Sequence, residues 1–256
     1  MDTSALAKRM KKYEAVSKNV LMRRTPVIIR VDGRAFHTFT KGFQKPFDEV
    51  LMSAMQDTMK YLCENIQGCV LGYTQSDEIT LVLTDYKRLE SDAWFDYKVQ
   101  KMCSIVASMA TLEFNRKMKR YAVKYANSGS GDEITKQFGT YAKAINKGAM
   151  FDARVFNIPK EEVTNNIYWR QLDASRNSIQ MLGQAYFSHK ELQHKTCDQI
   201  QDMLMTQKEI NWNDLPSHQK IRDSSESENA WIIDKEIPIF KGEGRLYIDE
   251  LILLEA

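Results

Sequence analysis

Two short segments limit what this chain can fold into. The first, Val27-Ile28-Ile29-Arg30-Val31-Asp32-Gly33, is a β-branched run that ends on a carboxylate and a glycine. The second, about forty residues on, is Tyr73-Thr74-Gln75-Ser76-Asp77-Glu78-Ile79-Thr80-Leu81-Val82-Leu83. There an apolar stretch breaks at Gln75-Ser76-Asp77-Glu78 and resumes at once, which predicts a tight hairpin with acids at its tip. If the two strands are sheet neighbours, Asp32 and Asp77 converge on one small volume. Carboxylates fixed on rigid elements suit Mg²⁺, which takes one or two of them plus phosphate oxygens and water. Two such ions a few ångströms apart form the apparatus of nucleotidyl transfer.

A chain of 256 residues can bury a substantial core, as one large domain or two small ones. With 43% hydrophobic and 27% charged residues it has an ordinary globular composition, and its longest apolar runs are too short to span a membrane. The N-terminal segment lacks the apolar region of a signal peptide. Cys63, Cys69, Cys103 and Cys197 show no CxxC spacing, so reduced thiols and a cytoplasmic protein are expected, with neither zinc nor disulfides. The net charge of +2 does not by itself announce a nucleic-acid partner. Basic blocks at residues 8–24 and at Arg116, Lys117, Lys119, Arg120 and Lys124 read equally as solvated helix faces or as contacts for a polyanion.

Patterning predicts a basic helix over 2–24, a strand over Val27–Val31, a helix over Phe47–Ile66, and strands over Cys69–Tyr73 and Ile79–Thr84. A helix N-capped at Ser91 or Asp92 should run to about Arg116. Residues 127–149, rich in Gly, Ser and Lys, read as a mobile surface insertion before a strand over Phe151–Ile158. This β-α-β-β-α-β order is the split βαβ arrangement of ferredoxin-like and polymerase-palm domains. The expected fold is therefore α/β (α+β), with an antiparallel sheet, helices on one face and a helical C-terminal part. Residues 1–158 would form the catalytic domain, with 159–256 packed on it as one unit. In the latter part, helices are expected over 160–184 and 189–207, a flexible loop over 222–229, and short strands over Ala230–Ile233 and Leu246–Leu254.

Taken singly, Asp32-Gly33 and Ser76-Asp77-Glu78 are common turn sequences; together they interrupt strands of one sheet. Backbone amides over Gly33, Arg34, Ala35, Phe36 and His37 could line a triphosphate. Lys45, just before a helix start, suits a phosphate. Lys98 and Lys101, one turn apart, suit one too, or simply face solvent. His37 is a candidate base or a locally bonded side chain. His189 and His194 lack the i, i+4 spacing of a helical zinc motif. Trp169-Arg170-Gln171-Leu172-Asp173 suits an RNA contact or packing with a helix salt bridge, and the methionine-rich helices read as core.

The segments Arg30 to His37, Lys45-Pro46-Phe47-Asp48, Tyr73 to Glu78, Phe151-Asp152-Ala153-Arg154-Val155 and Tyr168 to Asp173 resemble, in order and spacing, those of the tRNA-His guanylyltransferase family, the 3′–5′ polymerases. The resemblance runs from about residue 10 to about 220. It implies a palm-like fold in which Asp32, the Gly33 carbonyl and Asp77 hold two Mg²⁺. It also implies that residues 32–37, Lys45, Ser76, Asp77, Lys98 and Lys101 contact ATP, GTP or another nucleoside triphosphate. The expected partners are tRNA and further copies of the chain, as a homotetramer. Eukaryotic members that add one guanosine carry a His-Ile-Asn-Asn-Leu-Tyr-Asn-Thr stretch where this chain reads Ser175-Arg176-Asn177-Ser178-Ile179-Gln180-Met181-Leu182, with only Asn177 in common. The chain thus resembles the family's "-like" branch, whose members repair 5′-truncated tRNA. The alternatives are single-guanosine addition to tRNA-His, nucleotide cyclisation on the same palm, and a non-catalytic RNA-binding module.

Overall fold

A computed structural model describes residues 4–215, 223–227 and 230–252. Its elements are α1 (Ala5–Ala15), β1 (Val27–Gly33), α2 (Phe36–Phe39), α3 (Glu49–Asn65), β2 (Cys69–Gln75), β3 (Glu78–Leu83), α4 (Val99–Ala126), α5 (Asp132–Lys147) and β4 (Phe151–Asn157). There follow α6 (Val163–Tyr186), α7 (His189–Leu192), α8 (Cys197–Lys208), β5 (Asp223–Ser227), β6 (Ala230–Ile232) and a last helix, α9 (Leu246–Ile252). The strands form one antiparallel sheet in the order β4-β1-β3-β2-β5-β6. The expected βαββαβ core is present, and β1 and β3 are neighbours.

Alternation along the strands decides which layer each side chain joins. Val27, Ile29 and Val31 of β1, with Ile79, Leu81 and Leu83 of β3, bury against α3, α4 and α5. Ile28, Val82, Leu71 and Tyr73 point the other way, to a second core with Val163 and Ile167 of α6 and Ile248 and Ile252 of α9. The stripe Met102, Val106, Ala110, Phe114, Met118 and Ala122 is fully buried and holds α4 against the sheet.

Several boundaries differ from the sequence expectation. The first helix ends at Ala15 because the chain is then drawn into an extended strap: Leu21 N–H donates to the Tyr97 carbonyl at 3.0 Å, and Met22 N–H to Asn157 Oδ1 at 2.7 Å. Buried Asp85 fixes the end of this strap, accepting from Arg23 Nε at 2.6 Å and Arg24 N–H at 2.8 Å. α4 starts at Val99 rather than near Ser91 or Asp92, since Phe95, Asp96 and Tyr97 all have positive φ and interrupt the helix. It continues to Ala126 along its buried stripe, past the expected end. Its basic block is a helix face, where Lys117 pairs with Asp57 at 3.2 Å.

Residues 132–147, expected as part of a mobile insertion, form α5. The anchor is Tyr141, whose hydroxyl donates to Asp48 Oδ2 at 2.8 Å; burial, reinforced by Asp48, pushes that phenol's pKa up. Asp48 is itself buried and N-caps α3 through Leu51 N–H at 2.9 Å. The expected loop over 222–229 contains strand β5, paired with β2; positions 222, 228 and 229 lie outside the described residues. The expected strand over Leu246–Leu254 is instead helix α9, because Ile248 and Ile252, four apart, share one buried face; positions 253 and 254 lie outside the described residues.

Replacing Asp48 removes a helix cap and takes the carboxylate acceptor from a buried tyrosine hydroxyl. Asp48→Ala should therefore cost about 2–3 kcal/mol in urea unfolding. A loss below about 0.5 kcal/mol would show that Tyr141 and the cap are dispensable.

Candidate active site

The site arises where one sheet face changes character along its length. On the α6 side, the register pairs Ile28 with Val82 and Phe156 at one end. Two residues on, Arg30 sits between Thr80 and Arg154, and two further, Asp32 sits between Glu78 and Asp152. The same face thus runs from apolar to densely charged. The two residues Ser76 and Asp77 link β2 to β3, with Ser76 at φ +49° and the Thr74 hydroxyl donating to the Glu78 carbonyl at 2.9 Å. Gly33 N–H donates to the Asp77 carbonyl at 3.1 Å, which ties the end of β1 to the hairpin tip.

Asp32, Asp77 and Glu78 line a pocket of about 200 Å³ together with Gln75, Ser76, Arg170, Asp173 and Asn177. Burial pushes the Asp77 carboxyl above its ordinary pKa, and the like charges of Asp32 and Glu78 add to this, against the hydrogen bond from Ser76. Burial also raises Glu78, but here the Arg170 and Arg30 charges oppose it. Arg170 Nε lies 2.7 Å from Glu78 Oε1, and its Nη2 lies 2.8 Å from Asp173 Oδ2. Arg30 Nε stands 3.9 Å from Glu78 Oε2. Glu78 is therefore neutralised within the protein. Among the described residues Asp32 has only the half-exposed Arg154, at 3.7 Å, which it shares with Asp152.

This arrangement suits a hard cation. The donors are carboxylate and amide oxygens, and the buried Gln75 Oε1 has no hydrogen-bond partner among the described residues. Among the described residues no trio of His, Cys, Asp or Glu forms a ready-made cage. A carboxylate pair matches Mg²⁺, which completes its shell with water and substrate phosphates.

The other expected residues divide. Arg34 and His37 are exposed just beyond Gly33, and the His37 ring is hydrogen-bonded locally to Thr38 at 3.0 Å. Ala35 adopts a left-handed conformation at φ +53° and turns the chain into α2. Phe36 is a core residue, packed on Phe39, Phe114 and Phe151 with ring centroids 5.1–5.5 Å apart. A Cβ on Gly33 would lie 2.3 Å from that ring, so only glycine lets the loop close here. Lys45 is exposed and faces a different, neighbouring pocket. Lys98 and Lys101 are not brought to the acids. Val99 N–H bonds Asn19, in the strap held by Asn157, and Asn157 pairs with Val27, about 20 Å along β1 from Gly33. Lys98 is paired with Asp96 at 2.7 Å, and Lys101 sits 4.5 Å from the Phe95 ring centroid. Within one chain the expectation that these two lysines face the same triphosphate as Asp32 does not hold.

Sequence reasoning left Arg170 and Asp173 undecided and gave Asn177 no role; all three line the acid pocket. The available signal was their spacing at i, i+3 and i+7, which places them on one helix face. Trp169 lies beside them, half exposed, with the Arg170 guanidinium 4.5 Å above its ring.

Fold and site together define a palm-type nucleotidyltransferase. The chain belongs to the tRNAHis guanylyltransferase family, whose model matches residues 7–159. It is similar to the solved structure of a bacterial tRNA(His) guanylyltransferase-like protein in complex with ATP, at 42% identity and a TM-score of 0.85, over 98% of this chain and 100% of that one. A bacterial guanylyltransferase-like protein in complex with GTP matches at 37% identity and a TM-score of 0.77, with the same coverage. A probable tRNA(His) guanylyltransferase of Dictyostelium discoideum is 24% identical over 94% of this chain and 91% of its own length. The protein is thus a tRNA guanylyltransferase-like 3′–5′ nucleotidyltransferase. No described helix is long and apolar enough to cross a membrane.

Removing Arg170 strands Glu78 in a mostly buried position. Arg170→Met should destabilise the protein by about 1–3 kcal/mol, and Glu78→Gln in the same chain should recover part of that loss. Additive losses in denaturant unfolding would show that the two side chains do not act as a pair.

Proposed function

We propose that this enzyme repairs 5′-truncated tRNA, adding nucleotides in the 3′–5′ direction against the opposite strand in a Mg²⁺-dependent reaction. The observation that carries this reading is the carboxylate pair Asp32 and Asp77 on one pocket wall, where Asp32 meets only the half-exposed, shared Arg154 among the described residues while Glu78 is paired with Arg170 and Arg30. ATP and GTP are bound by the similar bacterial proteins, and here they would serve as the activating and incoming nucleotides.

Asp32 and Asp77, with the Gly33 carbonyl, are the groups that would hold Mg²⁺. Bound there, the metal lowers the pKa of the attacking 3′-hydroxyl and offsets charge on the phosphates. The chain's own residues position and tune. Ser76 hydrogen-bonds Asp77 and favours its ionised form, and Arg34 stands exposed at the mouth of the loop for an anionic substrate. The family reaction needs no protein nucleophile: the 5′ phosphate displaces pyrophosphate from ATP to form an adenylylate, and the 3′-hydroxyl of the incoming nucleotide then attacks the 5′ phosphorus, losing its proton and displacing AMP.

The altered stretch at 175–182 favours repair over single-guanosine addition. On α6 its Ile179 and Leu182 are buried against Ile200 and Leu204 of α8, and Ser178 accepts from Trp212 Nε1 at 3.0 Å. Asn177 is the one residue of the stretch that lines the acid pocket. A homotetramer acting in the cytoplasm completes the reading, by family resemblance.

Incubation with Mg²⁺, ATP, GTP and a 5′-truncated tRNA should give products extended to the full acceptor stem. Asp32→Ala and Asp77→Ala should lower this rate at least about a thousandfold, the scale of a principal electrostatic contribution, with circular dichroism unchanged. Near-wild-type extension by either variant would refute the mechanism. Preferential addition of one guanosine to intact tRNA-His would favour the alternative activity.

A further inference from the structure

A second, larger pocket of about 550 Å³ lies where the end of α6 meets α7, α8 and the loop carrying Lys45. Its floor is apolar: Phe187 and Ile200 are buried, and Leu192 packs against them. α6 and α8 approach closely here because residue 183 is glycine; a Cβ there would lie 2.7 Å from the Ile200 side chain. The rim is polar, exposed and of one sign. Lys45 and Lys195 contribute ammonium groups from two separate loops, and His189 and His194 contribute imidazoles. Among the described residues no aspartate or glutamate lines it. The nearest acid in sequence, Glu191, is turned back into the cap of α7, accepting from Ser188 N–H at 2.8 Å and its hydroxyl at 2.6 Å.

Side-chain amides complete the rim, Gln180 and Gln184 from α6 and Gln193 from the following loop. Asn177 of the acid pocket, Gln180 and Gln184 stand at i, i+3 and i+7, a single polar stripe along α6. The stripe joins the two pockets over about 10 Å, at 1.5 Å per residue. Cations for phosphate and amides for base edges around an apolar floor are groups that recognise an unpaired nucleotide of RNA. The volume falls in the range of small-ligand sites.

We propose that this pocket binds a nucleotide unit of the RNA substrate close to the reacting 5′ end, holding the strand along α6 while the acids act. This rests on the repair reading only for the identity of the RNA. The occupant is the strand rather than a free nucleoside triphosphate, because Gln184 stands about 10 Å along α6 from Asn177 of the acid pocket, and His189 and Lys195 follow beyond the end of that helix.

The test measures direct affinity for a 5′-truncated tRNA by filter binding across a salt series, beside affinity for ATP and GTP. The variants are Lys195→Ala and Gln184→Ala, both at exposed positions, with Lys195→Arg as the conservative control. Lys195→Ala should weaken tRNA binding at least about threefold and reduce the salt slope by about 0.7–0.9, as for one lost phosphate contact, with Lys195→Arg restoring both. Gln184→Ala should weaken tRNA binding without altering that slope, and ATP and GTP affinities should not move. Weakened ATP or GTP binding would assign the pocket to free nucleotide, and unchanged tRNA binding in both alanine variants would leave it without an RNA role; either result overturns the proposal. Because binding is read without turnover, failure of the repair reaction itself would appear separately, as wild-type binding without extension.

Discussion

Everything at the catalytic end of the sheet depends on how one surplus carboxylate is neutralised. Three acids of the sheet, Asp32, Asp77 and Glu78, meet at the junction of β1 and the β2–β3 hairpin, with Asp173 of α6 a fourth on the pocket wall, and like charges in a half-buried volume repel. Arg170 from α6 and Arg30 from β1 take up Glu78. This pairing ties α6 to the palm sheet and leaves Asp32 and Asp77 as the acid pair for which cation binding is proposed. Structure and chemistry share one interaction: α6 is docked by the residue that sets the charge of the site.

The sheet and its acids were legible because their physics is local. β-branched alternation fixes which side chains face which layer, and the break at Ser76-Asp77 permits little except a tight turn. The split βαβ order then predicts β1 beside β3, which the structure has. What was not legible depended on distant partners. α5 buries only Tyr141 and Ala144 despite its amphipathic pattern, and its anchor is Asp48, ninety-three residues away in sequence. The early end of α1 comes from a strap, residues 16–24, bonded to Tyr97 and Asn157, and the late start of α4 from positive φ at Phe95 to Tyr97; neither leaves a periodic trace. The Leu246–Ile252 helix has too few residues for its period to stand out from a strand.

The candidate site was read unevenly for the same reason. Asp32 and Asp77 were singled out from their own strands and the structure brings both to one pocket, whereas Arg170, Asp173 and Asn177 acquire meaning only when α6 is laid across the sheet. Phe36, within a stretch expected to contact nucleotide, is claimed by the core through Phe114 and Phe151. Lys98 and Lys101 show the opposite error: a plausible spacing on a helix that begins at the far end of the sheet.

The central claim is that Asp32 and Asp77 bind the cation while Glu78 is a structural acid. Titration of Mn²⁺, as a paramagnetic substitute for Mg²⁺, followed by electron paramagnetic resonance in the presence of ATP, separates these roles. Wild type and Glu78→Gln should bind Mn²⁺ with similar affinity, and Asp32→Asn and Asp77→Asn should lose that binding. Loss in Glu78→Gln with retention in Asp32→Asn or Asp77→Asn would contradict the assignment.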